Sequence, residues 1–151
     1  MLRIRLPQGL FALIDDEDAN VVRKYKWTLH KGKNTNYVRA CGPRKIYMHR
    51  LIMAAPKHSE VDHKNRNGLD NQRSNLRLCT RQQNCCNKKL KSAKTSLYRG
   101  VSFKSGKWRV QITVNQQVMH IGLFQDEMEA ARAYDARVQK CFGEFATLNF
   151  P

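Results

Sequence analysis

An aspartate followed directly by a histidine, Asp62 and His63, stands in the middle of the chain, and two asparagines follow it, Asn75 and Asn84. Histidine titrates near neutral pH, so His63 can serve as the general base that activates a water molecule. The carboxylate of Asp62 and the amide oxygen of Asn84 are hard ligands of the kind that Mg²⁺ prefers, with Mn²⁺ as the alternative ion. Hydrolysis of a phosphodiester needs such a base and a cation near the phosphate. These residues therefore predict metal-assisted phosphodiester hydrolysis.

The segments around these residues predict two strands and a helix. Residues 60–63 and the alternating run 75–79 are typical of strands, and the Asn- and Gly-rich residues 64–72 of the wide loop between them. Thr80 with Gln83 three residues later forms a capping box, which starts a helix. A strand hairpin packed on such a helix can bring the candidate base and the two candidate ligands together.

Asn75 stands at the start of the second of these strands. Its amide can fix the preceding loop, or it can orient His63 by a hydrogen bond to the neutral imidazole. Both roles are compatible with the sequence. Asn75 is therefore predicted as a catalytic residue that fixes the loop or orients His63.

The net charge of the chain predicts a polyanionic partner. The chain has 151 residues with 28 Lys and Arg against 12 Asp and Glu, a formal charge of +16, and nucleic acid is the first candidate for such an excess. No acidic residue occurs between Asp70 and Asp126. Candidate DNA contacts in this gap, ahead of the C-terminal segment, are Arg77, Arg81, Lys88, Lys89 and Lys91.

An anionic membrane would attract the same charge, but no apolar run approaches the ~18 residues of a spanning helix, and the first ten residues lack a signal-peptide core. We expect a cytoplasmic protein that does not bind membranes. The five cysteines include no Cys-x-x-Cys pair, which favours reduced thiols over a zinc site or a disulfide framework.

The N-terminal third predicts a small antiparallel sheet. Residues 2–6 and 10–14 are typical of strands, and Asp18 can cap a brief helix. Residues 27–29 and 37–40 flank a turn at residues 32–34 like the arms of a hairpin. A further short helix is predicted at residues 46–55, where Met48, Leu51, Ile52 and Ala55 recur at helical spacing before Pro56.

A basic segment poor in apolar residues, 88–95, predicts a linker between a domain at residues 1–87 and another at 96–151. In the latter, residues 97–101, 107–112 and 118–124 predict a three-stranded antiparallel sheet. Asp126 and Glu129 predict the capped start of a helix that packs on one face of the sheet. The other face can then present Arg99, Lys104, Trp108 and Arg109 to a DNA major groove.

Residues 47–87 resemble the His-Asn-His (HNH) nucleases with the ββα-metal fold, especially the phage-type homing endonucleases. The resemblance is carried by Met48-His49-Arg50-Leu51, Val61-Asp62-His63, Asn67-Gly68-Leu69-Asp70-Asn71, Asn75-Leu76-Arg77 and Thr80-Arg81-Gln82-Gln83-Asn84. It implies His63 as general base, Asp62 and Asn84 as ligands of a divalent metal, and Asn75 as the structural middle residue. It also implies a phage or bacterial host setting, and it assigns no role to His49.

Residues 96–151 resemble the AP2/ERF DNA-binding domain. The resemblance is carried by Tyr98-Arg99-Gly100-Val101, Gly122-Leu123-Phe124, Glu129-Ala130-Ala131, Ala133-Tyr134-Asp135 and Leu148-Asn149-Phe150-Pro151. It implies that the DNA-facing strands carry Arg99, Lys104, Trp108, Gln111, Thr113 and His120. Packing at the sheet edge is the alternative for Trp108. The plant proteins carry Arg where this chain has Ser102 and Val118, so their target sequence is not transferred.

The expected fold class is α+β: a small N-terminal antiparallel sheet, then a ββα-metal module, then an AP2-like three-stranded sheet on one helix. The expected function is a metal-dependent DNA endonuclease whose C-terminal domain holds double-stranded DNA. We expect a monomer without a protein partner. The alternatives are a non-catalytic DNA-binding or regulatory protein derived from such a nuclease and, less favoured, an RNA-binding protein.

Overall fold

The computed structural model describes residues 1–7, 9–32, 35–88 and 95–151. The chain divides into two compact units, Met1–Arg81 and Gln82–Pro151. Small antiparallel sheets with a few helices make up both units, as the sequence predicts for a mixed α and β protein. The predicted domain boundaries stay a prediction, because residues 89–94 of the predicted linker lie outside the described residues.

The first unit opens with two hairpins. Strand β1 (Leu2–Arg5) pairs with β2 (Phe11–Ile14), and β3 (Trp27–Lys31) pairs with β4 (Asn36–Ala40). A 3-10 turn (Asp16–Asp18) and the one-turn helix α1 (Ala19–Val22) connect them. Each hairpin forms a separate two-stranded sheet, whereas the sequence predicted one small sheet.

Helix α2 (Met48–Ile52) is shorter than the predicted helix at residues 46–55. It ends because Ala54 adopts the left-handed φ of +45°, and Arg50 then binds the carbonyls of the next segment. Its guanidinium donates to the carbonyl oxygens of Ser59 at 2.6 Å, Pro56 at 2.8 Å and Ala55 at 3.3 Å. Arg50 thus fixes the path of the chain into the next strand.

Strands β5 (Glu60–His63) and β6 (Leu76–Cys79) form an antiparallel pair, which confirms the predicted strands on either side of a wide loop. The loop between them closely approaches β4. A side chain at Gly68 would place its Cβ 2.2 Å from the carbonyl oxygen of Asn36, so only glycine fits there. The core of this unit consists of apolar side chains from both hairpins, both helices and this strand pair, namely Leu6, Ala12, Ile14, Val22, Trp27, Val38, Ala40, Met48, Ile52, Val61 and Leu76.

Helix α3 (Arg81–Cys86) begins directly after Thr80, as predicted. The division between the units falls within it, and Gln82 donates to the carbonyl oxygen of Thr113 at 3.4 Å. Strands β7 (Val101–Lys104), β8 (Lys107–Val114) and β9 (Gln117–Phe124) then form a three-stranded antiparallel sheet. The predicted strand at 97–101 is wrong in its bounds, because residues 97–100 form a turn with Gly100 at a φ of +75°.

Helix α4 (Glu127–Phe142) packs on one face of this sheet, and its Ala130, Ala131, Tyr134 and Val138 are buried against Val110 and Ile112. The carboxylate of Asp126 accepts from the backbone N–H of Glu129 at 2.8 Å, which confirms the predicted cap. Among the described residues, no helix is both long and apolar enough to cross a membrane.

Candidate active site

Asp62 and His63 end strand β5, and both are 5% exposed. Neighbouring residues of a strand point to opposite faces, and both faces are covered at this position. Burial places the two most reactive residue types of this segment in surroundings from which most water is excluded. Such surroundings strengthen electrostatic interactions.

Asp62 forms an ion pair with Arg77, its cross-strand partner on β6. The guanidinium donates to Asp62 Oδ2 from Nε at 3.0 Å and from a terminal nitrogen at 2.8 Å. The Arg77 side chain is itself largely buried. Arg77 therefore fixes the orientation of the Asp62 carboxylate, and the predicted contact of Arg77 with DNA stays a prediction.

The imidazole of His63 contacts a fully buried asparagine. Its Nε2 lies 3.4 Å from Oδ1 of Asn71, which is 0% exposed. Since an amide oxygen only accepts, this contact favours the neutral tautomer with the hydrogen on Nε2 and the lone pair on Nδ1. Burial lowers the pKa of His63, although Asn71, Asp62 and Asp70 each act to raise it.

A second histidine packs edge-on against the first. The ring centroids of His49 and His63 are 5.0 Å apart, and Tyr37 contacts both rings. Burial, followed by the neighbouring His63 and Arg50, lowers the pKa of His49 to about 3. His49 is thus neutral at physiological pH, and its buried Nδ1 has no hydrogen-bond partner among the described residues.

Asn75 holds the loop, the first of the two roles that the sequence allows for it. Its amide nitrogen donates to the carbonyl oxygen of Asp70 at 2.8 Å, and its side-chain oxygen accepts from the backbone N–H of Asn65 at 3.0 Å. Asn71 makes the contact to His63 instead. Asn84 lies on α3 in the second unit, and its place in a metal site with Asp62 stays a prediction.

In the second unit, the face of the sheet opposite α4 is polar and basic. Alternation along the strands and the strand register place Lys104, Lys107, Arg109, Gln111, Thr113 and His120 on this open face. Lys104, Lys107, Arg109 and His120 also line a recess of about 300 Å³, together with Ser105 and Leu123. The buried Nε of Arg109 has no hydrogen-bond partner in the described part of the chain.

Other predicted DNA contacts lie elsewhere. Trp108 packs against the core and against the ring of Phe103, with centroids 4.8 Å apart, which favours the packing alternative. Arg99 precedes β7 and donates to the carbonyl oxygen of Lys88. Arg81 and Lys88 have exposed side chains. Lys89 and Lys91 lie outside the described residues.

The sequence reasoning assigned no role to Asn71 and missed the pairing of Arg77 with Asp62. The loop contains several asparagines of the same type, and Asn65 and Asn67 are exposed whereas Asn71 is completely buried. No local pattern separates them. The ion pair follows from the strand register, so aligning β5 with β6 by their alternation could have revealed it.

The chain is similar in sequence to one family model and to known proteins. An HNH endonuclease family model matches residues 47–85, which include Asp62, His63, Asn75 and Asn84. An uncharacterised HNH endonuclease of Acanthamoeba polyphaga mimivirus is 32% identical over 148 residues, or 94% of this chain and 76% of that protein. An ethylene-responsive transcription factor-like protein of Arabidopsis thaliana is 37% identical over 54 residues, or 36% of this chain and 24% of that protein. The chain belongs to the HNH endonuclease family.

Proposed function

We propose that this protein is a DNA endonuclease in which His63 activates the attacking water and the C-terminal unit holds the duplex. The observation that carries the proposal is the buried His63 directly after Asp62 within the segment that matches the HNH endonuclease family, where burial lowers the pKa of His63. A general base must be unprotonated at the working pH. The lowered pKa of His63 meets this requirement at neutral pH.

The proton of the attacking water passes to His63. Because Nε2 donates to Asn71, the nitrogen that accepts the proton is Nδ1. Asn71 holds the ring in one tautomer and one plane, which orients the lone pair before the reaction begins. Such positioning reduces the entropy loss on reaching the transition state, because the ring is already oriented.

Asp62 and Asn84 are the proposed ligands of a divalent metal ion, Mg²⁺ or alternatively Mn²⁺. The donor set fits such an ion, because a carboxylate and an amide supply hard oxygens, and Arg77 holds the Asp62 carboxylate in a fixed orientation. When bound, the ion neutralises charge on the scissile phosphate and the leaving oxygen. HNH nucleases generally use a divalent metal.

DNA is held by the open face of the C-terminal sheet. Its basic side chains suit phosphate oxygens, and Gln111 and Thr113 suit base edges. The similarity to a transcription factor-like protein and the formal charge of +16 support this assignment. An AP2/ERF-like arrangement of sheet and helix is therefore proposed for this unit, with Arg81, Lys88 and Arg99 as further contacts.

The test is a nicking assay with purified protein and supercoiled plasmid. We expect relaxation of the plasmid with Mg²⁺, loss of activity with excess EDTA, and its return when Mg²⁺ is restored. DNA binding without cleavage under any divalent metal would favour the non-catalytic DNA-binding alternative. Stronger competition by RNA than by duplex DNA of equal length would contradict DNA as the substrate.

A further inference from the structure

The N-terminal hairpin is hydrogen-bonded to the loop that carries the partner of His63. The backbone N–H of Leu13 on β2 donates to the carbonyl oxygen of Leu69 at 2.8 Å, and the N–H of Asn71 donates to the carbonyl oxygen of Leu13 at 2.8 Å. These two bonds form a parallel bridge between Leu13 and Asp70. One residue of β2 therefore fixes the backbone on either side of Asp70.

Two residues beyond Asn71, the same loop is anchored a second time. The guanidinium of Arg73 binds both carboxylate oxygens of Asp18, at 2.7 and 3.0 Å, and its backbone N–H donates to Asp15 at 2.8 Å. The Asp18 side chain is 4% exposed, and that of Arg73 46%. A bidentate pair with one buried partner fixes geometry better than an exposed single contact does.

This pairing also corrects one prediction and explains an acidic cluster. Asp18 directly precedes α1 as predicted, but its carboxylate makes no capping hydrogen bond, because it binds Arg73. The oxygens of Asp15, Glu17 and Asp18 lie close enough together to hold a cation. The Arg73 guanidinium contacts Glu17 and Asp18, so this cluster already has a cationic partner.

We propose that Asp18 and Arg73 are positioning residues that act through Asn71 to fix the imidazole of His63. Asn71 lies between the two anchors, at Leu13 and at Arg73, and its Oδ1 is the atom that contacts His63. Loosening either anchor lets Asn71 shift relative to the ring. The inference rests on the proposed function, in which His63 is the general base.

The kinetic test compares Asp18→Asn with wild type in plasmid nicking. We expect kcat to fall about 10-fold, because small misplacement of a catalytic group has a large effect on rate, while KM and the Kd for DNA stay unchanged. Asp16→Asn is the matched control, since Asp16 lies in the same turn, is 70% exposed and pairs with the N-terminus. It should keep the wild-type rate.

A double variant shows whether the effect passes through Asn71. Asn71→Leu removes the acceptor at nearly constant volume, and Asp18→Asn should then have no further effect on kcat, because coupled residues are not additive. Multiplicative losses would overturn the proposal. So would an Asp18→Asn variant that melts at a lower temperature but keeps the wild-type kcat.

A spectroscopic test does not depend on cleavage. The ¹⁵N shifts of the His63 ring nitrogens, assigned with His63→Ala, should show a hydrogen on Nε2 in the wild type and a mixture of tautomers in Asp18→Asn. Unchanged shifts in that variant would overturn the proposal. If Asp18→Asn does not fold, Arg73→Lys keeps the charge without the two-pronged contact and should shift the same signals. If the wild-type protein shows the predicted shifts but never nicks DNA, the proposed nuclease activity is contradicted. The proposed positioning role of Asp18 and Arg73 is then not contradicted.

Discussion

The two sites differ most in their exposure to water. Around Asp62 and His63 the side chains are buried, and burial lowers the pKa of both histidines, His49 and His63. The open face of the second unit carries lysines and an arginine around a recess and has exposed His120 and Thr113. The first site resembles the inside of a protein, and the second its surface.

This difference suits the two kinds of chemistry that we propose for the two sites. Activating water requires one imidazole in a fixed plane and protonation state, and burial with defined hydrogen bonds provides both. Holding a duplex requires many cations that can meet phosphates at spacings set by the DNA, and a solvated face provides these. Variants should therefore separate cleavage from binding.

We expect the clearest separation of cleavage from DNA binding at Asp62. In Asp62→Asn we expect the nicking rate to fall about 100-fold or more, because several kcal/mol of charge stabilisation are lost and each ~1.4 kcal/mol is a factor of ten in rate. The Kd for DNA should change little, since Asp62 is buried. Gel-shift and nicking assays on the same preparation measure both, and a large loss of binding would contradict the division of roles.

A glycine of the second unit tests the stability of that unit. Gly100 has a φ of +75°, and a Cβ there would lie 2.1 Å from the Tyr134 ring. Gly100→Ala should destabilise this unit by about 3 kcal/mol from strain and overpacking together. Gly106→Ala is the matched control, because its φ is +77° but nothing lies within 4 Å of the added Cβ. Gly106→Ala should lower the free energy of unfolding, measured in urea, by only about 1 kcal/mol. Equal losses in the two variants would contradict a steric clash between the added Cβ at position 100 and Tyr134.

The open face can be tested by removing charge without disturbing the core. Lys104→Ala combined with Arg109→Ala should raise the Kd for duplex DNA on the order of 10-fold. The slope of log K against log salt should flatten by about 0.9 for each lost phosphate contact. Lys140→Ala, in the last turn of α4, removes a cation outside this face. Equal effects from Lys140→Ala would refute a binding role for the open face.

The burial of His49 predicts that the fold is less stable at acidic pH. Unfolded histidine titrates at 6.5, whereas burial lowers the pKa of His49 to about 3. Between these values the unfolded chain binds more protons, so stability is full above pH 6.5 and falls as the pH drops toward 3. The loss is up to about 1.4 kcal/mol for each pH unit. His49→Phe should unfold in urea with a flatter pH dependence, and identical slopes would contradict neutral burial.

Much of the fold is readable from the sequence because local patterns determine it. The alternation in β5 and β6, the start of α3 after Thr80 and the Asp126 cap all appear where predicted. Element ends were less predictable: α2 stops early at Ala54 and β7 starts late after Gly100. Both ends coincide with left-handed backbone conformations, at Ala54 and at Gly100.

The candidate site was predictable in its residue types but not in its connections. The hydrogen bonds from Arg73 to Asp18 join residues 55 positions apart in the chain. No local sequence pattern predicts such a contact. Asn71 is buried whereas Asn65 and Asn67 of the same loop are exposed, and the fold determines this difference. The residues of the proposed chemistry could be named from the sequence, whereas the side chains that contact them could not.

The most direct test of the account measures cleavage and binding by His63→Ala. The variant should bind plasmid with the wild-type Kd and nick it at least about 100-fold more slowly with saturating Mg²⁺, the usual contribution of a general base. The matched control, His58→Ala, alters an exposed histidine ahead of β5 and should keep full activity. Wild-type nicking by His63→Ala would contradict the central claim that His63 activates the attacking water.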